Sequence, residues 1–341
     1  MIRNAEDLPR SAEGAGNFLD RVRAECGDSH FDKQVLARTG LNPDAYLNLA
    51  GTSEFRLHLP AGYRRREVLD FYGRDPLSIS EHASADEFRK AFLIGGRAAV
   101  VEIRFIHDFA VCATDATDTF AAHRAIVRML GFGSGSTAFE QELRNDPLLG
   151  ALITKQAGLR IPLTPNAWEA LAWAIIGQQI SLKFAVALRR ELIAAAGEPH
   201  PSGLRAHPSR EAVASLDVDR LRKMKFSAAK AEYLLAAARS EAYFDALRES
   251  SAEGAAEILT SIRGVGPWTA QYALLRGFGF ADCLPAGDAG IAQGLHRLTG
   301  ERPTEPRIRE IMARFTPYRS LATYHVWASL KPAKGLRPDA A

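Results

Sequence analysis

Asp288 closes a short stretch, Leu284 to Asp288, that reads LPAGD, and it runs directly into AGIAQGLHRL, which has the pattern of a helix. A carboxylate there has two uses. It can cap the helix, worth about 1 kcal/mol, or it can stabilise positive charge that develops on a reacting centre and orient an attacking water. Twenty-two positions earlier lies Gly266, within a second informative stretch, LTSIRGVGPWTAQY at Leu259 to Tyr272. Gly264 and Gly266 can take positive-φ conformations, and Pro267 suits a first helical turn. A Gly-Val-Gly turn opening into a helix presents backbone amides at the positive helix end, as a phosphate site requires; many such turns are merely tight. Trp268 and Tyr272 are four apart and share a helical face. Such rings serve either as core or as a surface that stacks on a flat, electron-poor group.

These residues must be positioned by helices. After about Thr137 the chain is helical in character, with Trp168, Leu171, Ala172, Ile175 and Ile176 forming a buried stripe behind a capping residue in Thr164-Pro165-Asn166. That helix should break near Gly177. Further helices are expected at Ser181–Ala196, Ala228–Arg239 and Glu253–Ser261, joined by short connections as in an all-α bundle. The period-two run Phe55, Leu57, Leu59 marks a strand, and Phe92–Ile94, Ala98–Ile106 and Phe109–Ala113 read as an antiparallel meander. Helices at Arg65–Tyr72 and Thr119–Leu130 would pack on it. The Gly-rich run Gly131 to Ser136 reads as a flexible linker. The expected fold class is mainly α with an α+β N-terminal domain: a helical extension over 1–52, a small α+β domain over 53–136, and an all-helical core over 137–341.

The chain has 341 residues, 47% apolar and 24% charged, with a net charge of +3, an ordinary globular composition that excludes a collagenous or disordered chain. No apolar stretch reaches the roughly 20 residues that a membrane-spanning helix needs. The first twenty residues are polar and acidic, without the apolar centre of a signal peptide, so a cytoplasmic location is expected. Cys26, Cys112 and Cys283 are too few and scattered for a disulfide framework or a thiolate metal site. His296 and His325 lack a second ligand at metal-binding spacing and read as structural. Arg220, Arg222, Lys223, Lys225 and Lys230 form the densest basic run, open to phosphate contact or to a solvated helix face alike.

Ile262, Gly264-Val265-Gly266 and Thr269-Ala270, followed at this distance by Asp288, resemble the helix-hairpin-helix of DNA glycosylases. With Trp268, Tyr272, LPAGD, RSLATYHVW at Arg319–Trp327, GLRIP at Gly158–Pro162 and IIGQQIS at Ile175–Ser181, the chain is similar to the 3-methyladenine DNA glycosylase II branch from about Glu54 to Pro338. The resemblance implies a helix-hairpin-helix glycosylase core with the hairpin at 253–277. It implies a monofunctional enzyme that flips an alkylated purine of the 3-methyladenine or 7-methylguanine type out of double-stranded DNA and hydrolyses its N-glycosidic bond in base excision repair. Asp288 would be catalytic. Trp268, Tyr272 and Trp327 would bind the base, and Gly264, Gly266 and Thr269 would hold the DNA backbone. Gln179 aligns with the side chain that fills the gap in the duplex, although an apolar residue is frequent there, and Ala289 stands where an aromatic can occur. No cofactor is required; a monovalent cation on the main-chain carbonyls of Thr260, Ile262 and Val265 is the family's habit.

Glycosylases that also cut the DNA backbone carry a lysine where Trp268 stands, so lyase activity is not expected. The competing reading is a non-catalytic hairpin protein that senses damaged DNA. A monomer without membrane association is expected. The run His30–Leu47 also resembles the closing segment of an AraC-type helix-turn-helix, whose earlier helices do not fit in the residues before it.

Overall fold

The computed structural model describes residues 8–9, 11–240, 247 and 250–330. The end of the expected core, 331–341, and so the last residues of the resemblance, lie outside them.

Three helices come first, α1 (Ala12–Cys26), α2 (Asp28–Thr39) and α3 (Pro43–Leu47). Ser11 caps α1 and Asn42 caps α3, each through a side-chain oxygen that accepts a first-turn N–H. Strand β1 (Glu54–His58), helix α4 (Arg65–Tyr72), strands β2 (Glu81–Ala83), β3 (Glu87–Ile94), β4 (Arg97–Ile106) and β5 (Phe109–Thr114), and helix α5 (Thr119–Met129) follow. The strands form one antiparallel sheet in the order β1-β5-β4-β3-β2, with Phe55 opposite Cys112 and Phe88 opposite Ile103.

Alternation puts Phe55, Leu57, Val101, Ile103 and Phe105 on one face, where they share a core with Phe18, Val22, Phe31, Val35 and Tyr46 of the first three helices. The N-terminal helices thus cover the sheet and share its core. The expected linker differs. Phe132 is buried in this same core, and a Cβ on Gly131, at φ +70°, would meet the Ile161 carbonyl. Glycine there serves close packing at positive φ rather than flexibility.

The helical part runs through α6 (Ser136–Leu143), α7 (Gly150–Lys155), α8 (Ala167–Gly177), α9 (Leu182–Ala196), α10 (Arg210–Ala214), α11 (Val218–Lys223), α12 (Ala228–Arg239), α13 (Ala252–Thr260), α14 (Pro267–Ala273), α15 (Ala289–Thr299), α16 (Glu305–Ala313) and α17 (Arg319–Ser329). Asn166 caps α8, which does end at Gly177, and Ser181 caps α9. One π-helical turn, Leu274–Phe278, continues α14.

Polar ties lock the parts together. The Tyr72 hydroxyl donates to the Leu163 carbonyl at 2.6 Å. Deeper, Lys90 of β3 donates to Glu81 and Glu169, both at 2.9 Å, and Arg189 of α9 grips both Glu81 oxygens at 2.6 and 2.9 Å and Glu169 at 2.8 Å. Burial alone would raise both acids, but the two cations outweigh it, holding Glu81 well below the usual carboxylate range and Glu169 down to about 2.

Among the described residues no helix is long and apolar enough to cross a membrane, and no group of three or more His, Cys, Asp or Glu could hold a metal ion. His325 is fully buried, and burial lowers its pKa to about 3, as expected of a structural histidine. Burial also pushes the Cys283 thiol up to about 12 and the Cys112 thiol higher still, which leaves both unreactive.

Candidate active site

Asp288 is the N-cap of α15: its Oδ1 accepts from the N–H of Gly290 at 2.8 Å and of Ile291 at 3.0 Å. The capping use of this residue is therefore real. It is not the whole arrangement. Trp327, from α17, donates its indole N–H to the same Oδ1 at 2.8 Å, and Trp268, from α14, donates to Oδ2 at 3.1 Å. Oδ1 thus takes three donors and Oδ2 one, on a half-buried carboxylate that enters no ion pair among the described residues. Four neutral donors fix its orientation and leave its charge unneutralised, with room on Oδ2 for a further partner.

The loop that carries Asp288 is pinned on both sides. Asp282 pairs with Arg319 through two contacts of 2.6 and 2.9 Å, and the N–H groups of Cys283 and Leu284 donate to Ser320 Oγ and Gln271 Oε1, each at 2.9 Å. A Cβ on Gly290 would sit 2.9 Å from Asp288 Oδ1 and 3.1 Å from the Trp327 ring, so a larger residue there would push the carboxylate out of place.

Tyr272 stacks on Trp268 with ring centroids 5.4 Å apart at 26°, and lies 6.1 Å from Trp327 at 46°. The three predicted aromatics therefore converge beside Asp288, all half-buried. Sequence reasoning assigned the two tryptophans to stacking alone; that their N–H groups hold the carboxylate left no mark in the spacing. It also missed Arg276 in the π-turn. The Arg276 guanidinium lies 5.5 Å from the Trp327 ring and 4.8 Å from the ring of Phe71 in α4, and donates to the Pro162 carbonyl at 2.8 Å. The small sheet domain thereby reaches the site.

At the hairpin, Gly264 has φ +85° and a Cβ there would fall 2.0 Å from the Tyr233 ring, so only glycine fits. Gly266 does not take a positive φ: it sits at −82° as the N-cap of α14. A Cβ on it would meet nothing within 4 Å, which leaves its backbone open to approach from outside. Thr269 is buried and its hydroxyl accepts from Gln178 Nε2 at 2.9 Å, so its side chain ties the hairpin to the α8–α9 turn.

The same Gln178 amide donates to the Gly264 carbonyl at 2.9 Å, and Lys230 donates to the Gln178 carbonyl at 2.6 Å. Lys230 is therefore removed from the basic surface run: it is buried, which lowers its pKa, and it braces the α8–α9 turn. Arg220, Arg222, Lys223 and Lys225 remain exposed. Next to Gln178, Gln179 is exposed with φ +54°, a left-handed conformation that projects it from this braced turn. The carbonyls of Thr260 and Val265 accept no hydrogen bond among the described residues, and that of Ile262 accepts only the Val265 N–H at 3.0 Å.

A hairpin, a carboxylate held at a helix start and three converging aromatics in one helical core define a protein of the helix-hairpin-helix base-excision class. Residues 172–317 match the HhH-GPD superfamily base excision DNA repair protein family, and residues 54–166 match the AlkA N-terminal domain. A DNA-3-methyladenine glycosylase of Bacillus subtilis is 33% identical over 203 residues, covering 57% of this chain and 67% of the relative. A Mycobacterium tuberculosis protein named probable bifunctional transcriptional activator/DNA repair enzyme AlkA is 28% identical over 326 residues, 92% of this chain and 64% of the length of that relative. The solved 3-methyladenine DNA glycosylase of Archaeoglobus fulgidus superposes with a TM-score of 0.72 at 26% identity, covering 80% of this chain and 97% of that one. The chain belongs to the DNA-3-methyladenine glycosylase family of base excision repair proteins.

Proposed function

We propose that the protein hydrolyses the N-glycosidic bond of alkylated purines, of the 3-methyladenine and 7-methylguanine type, everted from double-stranded DNA. The observation that carries this reading is the Asp288 carboxylate, held by four neutral donors beside three half-buried rings. As the bond to the base lengthens, positive charge grows on the deoxyribose, and the uncompensated carboxylate stabilises it. The base leaves with the bonding electron pair. Water adds to the anomeric carbon, Oδ2 accepts its proton, and an abasic sugar remains. An N3- or N7-alkylated purine already carries positive charge and leaves neutral, so no general acid is required. Trp268, Tyr272 and Trp327 would hold the base by stacking and cation–π attraction, about 0.5–2 kcal/mol each.

On the DNA side, the backbone N–H groups of Gly264, Gly266 and Thr269 around the start of α14 would take a phosphate, and Gln179 would enter the vacated position in the duplex. The free carbonyls of Thr260 and Val265, with that of Ile262, are an all-oxygen set suited to a hard monovalent cation, which would add positive charge near that phosphate. The absence of a lysine at Trp268 supports hydrolysis without a backbone cut. The protein would act as a monomer in the cytoplasm.

The test is chromatographic detection of free 3-methyladenine and 7-methylguanine from methylated duplex DNA, with borohydride present in a parallel reaction. Release without a trapped protein–DNA adduct is expected. Absence of release, with intact binding to abasic-analogue DNA, would refute hydrolysis in favour of a damage sensor.

A further inference from the structure

One charged group near the site is unused by this mechanism. Arg74 lies just beyond α4, and its guanidinium is 4.0 Å from the ring of Trp173 in α8 and 4.7 Å from that of Phe71. Arg276 meets the same Phe71 ring at 4.8 Å and the Trp327 ring at 5.5 Å, and Trp327 holds Asp288. Arg74 therefore belongs to one continuous wall of rings and guanidinium groups that ends at the candidate catalytic carboxylate. Arg276 spends a donor on the Pro162 carbonyl, but Arg74 makes no hydrogen bond or ion pair among the described residues. Its half-buried group keeps five N–H donors, and stacking on two rings satisfies none of them.

Electrostatics point the same way. Burial lowers the Arg74 pKa, and the groups that act on it are the Tyr272 phenol, Arg189, Glu81 and Glu169. Arg189 already grips both of those carboxylates, and Lys90 pairs with them as well. Among the described residues no acid pairs with Arg74, its neighbour Asp75 being paired with Arg190, and an arginine does not discard its proton. A planar cation with unmet donors, stacked in an aromatic wall that reaches Tyr272, suits a flat partner that carries acceptors and no positive charge.

We propose that Arg74 is a specificity-determining residue that donates to the carbonyl or ring-nitrogen acceptors of an everted base, favouring neutral, carbonyl-bearing damaged purines such as hypoxanthine over cationic ones that lack a carbonyl, such as 3-methyladenine. The inference rests on the glycosylase reading and deepens it. A hydrogen bond to a charged group is gained with the first class, while like-charge repulsion opposes the second. The sheet domain would thus set which lesion is accepted, while the helical core performs the cleavage.

The experiment measures single-turnover release of hypoxanthine from a deoxyinosine duplex and of 3-methyladenine from methylated DNA, by wild type, Arg74→Ala and Arg74→Lys. The ratio of the two rates cancels any general loss of folded protein. It should fall about tenfold or more in Arg74→Ala, and by less in Arg74→Lys, which keeps the charge but not the planar fork. A ratio unchanged in Arg74→Ala, or a wild type that releases 3-methyladenine but no hypoxanthine, would overturn the proposal and leave the glycosylase reading intact. A wild type that releases neither base would remove that reading, and this inference with it.

Discussion

Two carboxylates in this molecule are each held by four hydrogen bonds, and they are built for opposite ends. Glu81 accepts from Ser78, Lys90 and twice from Arg189, so cations supply three of its four donors and it is sealed from solvent. Asp288 accepts from two backbone amides and two indoles, all neutral, and remains half-exposed. The difference teaches how a fold spends a negative charge. Charged donors cancel it and turn the carboxylate into a tie between domains; neutral donors orient it and leave its field available to a cation that forms in front of it.

Breaking the sealed partner should cost most in stability. Glu81→Gln leaves Arg189 and Lys90 short of a counter-charge and should lower unfolding free energy by about 3–5 kcal/mol in denaturant titrations; a loss below about 1 kcal/mol would show the cluster to be no tie. At the open partner, Trp327→Phe and Trp268→Phe keep a ring but remove one donor each. Each should reduce base release by about tenfold to a hundredfold with little change in stability. Equal losses of stability and rate would instead make the indoles packing residues.

Acid sharpens the contrast. His123 and His207 are held neutral by burial, with pKa values lowered from 6.5 to about 4. Their unfolded forms take up protons first, so stability should fall as pH drops from about 6.5 to 4. Glu81 and Glu169 are depressed, so their contribution is present above about 4.5 and is lost as pH falls toward 2. Stability that holds level from pH 6.5 to 4 would contradict the first stage. The smallest effect concerns the exposed turn: Gln179→Ala should leave stability within about 0.5 kcal/mol while weakening binding to damaged duplex, and unchanged binding would remove Gln179 from the DNA contact.

The open site was more legible in the sequence than the sealed cluster. Asp288, Trp268, Tyr272 and the hairpin glycines stand out through the motif resemblance, since type and spacing alone left capping, core packing and a tight turn open, and the structure brings the carboxylate and the rings together. Hydrophobic alternation found β1 and the meander, but β2 has only three residues, and Lys90 breaks the apolar pattern of β3. Its burial is intelligible only once Glu169 arrives from another domain. Gln178 and Arg74 were missed for the same reason: each acts on elements remote in sequence, and neither local period nor motif encodes such a meeting. The Gly-rich run at Gly131 misled because composition does not reveal that Phe132 is anchored.

The central claim is that Asp288 acts by its uncompensated charge, and Asp288→Asn tests it most directly because the side-chain shape is kept while the charge is lost. Single-turnover release of 3-methyladenine should fall by about a hundredfold to a thousandfold or more, with binding to abasic-analogue DNA retained. Release by the variant at the wild-type rate would contradict the account.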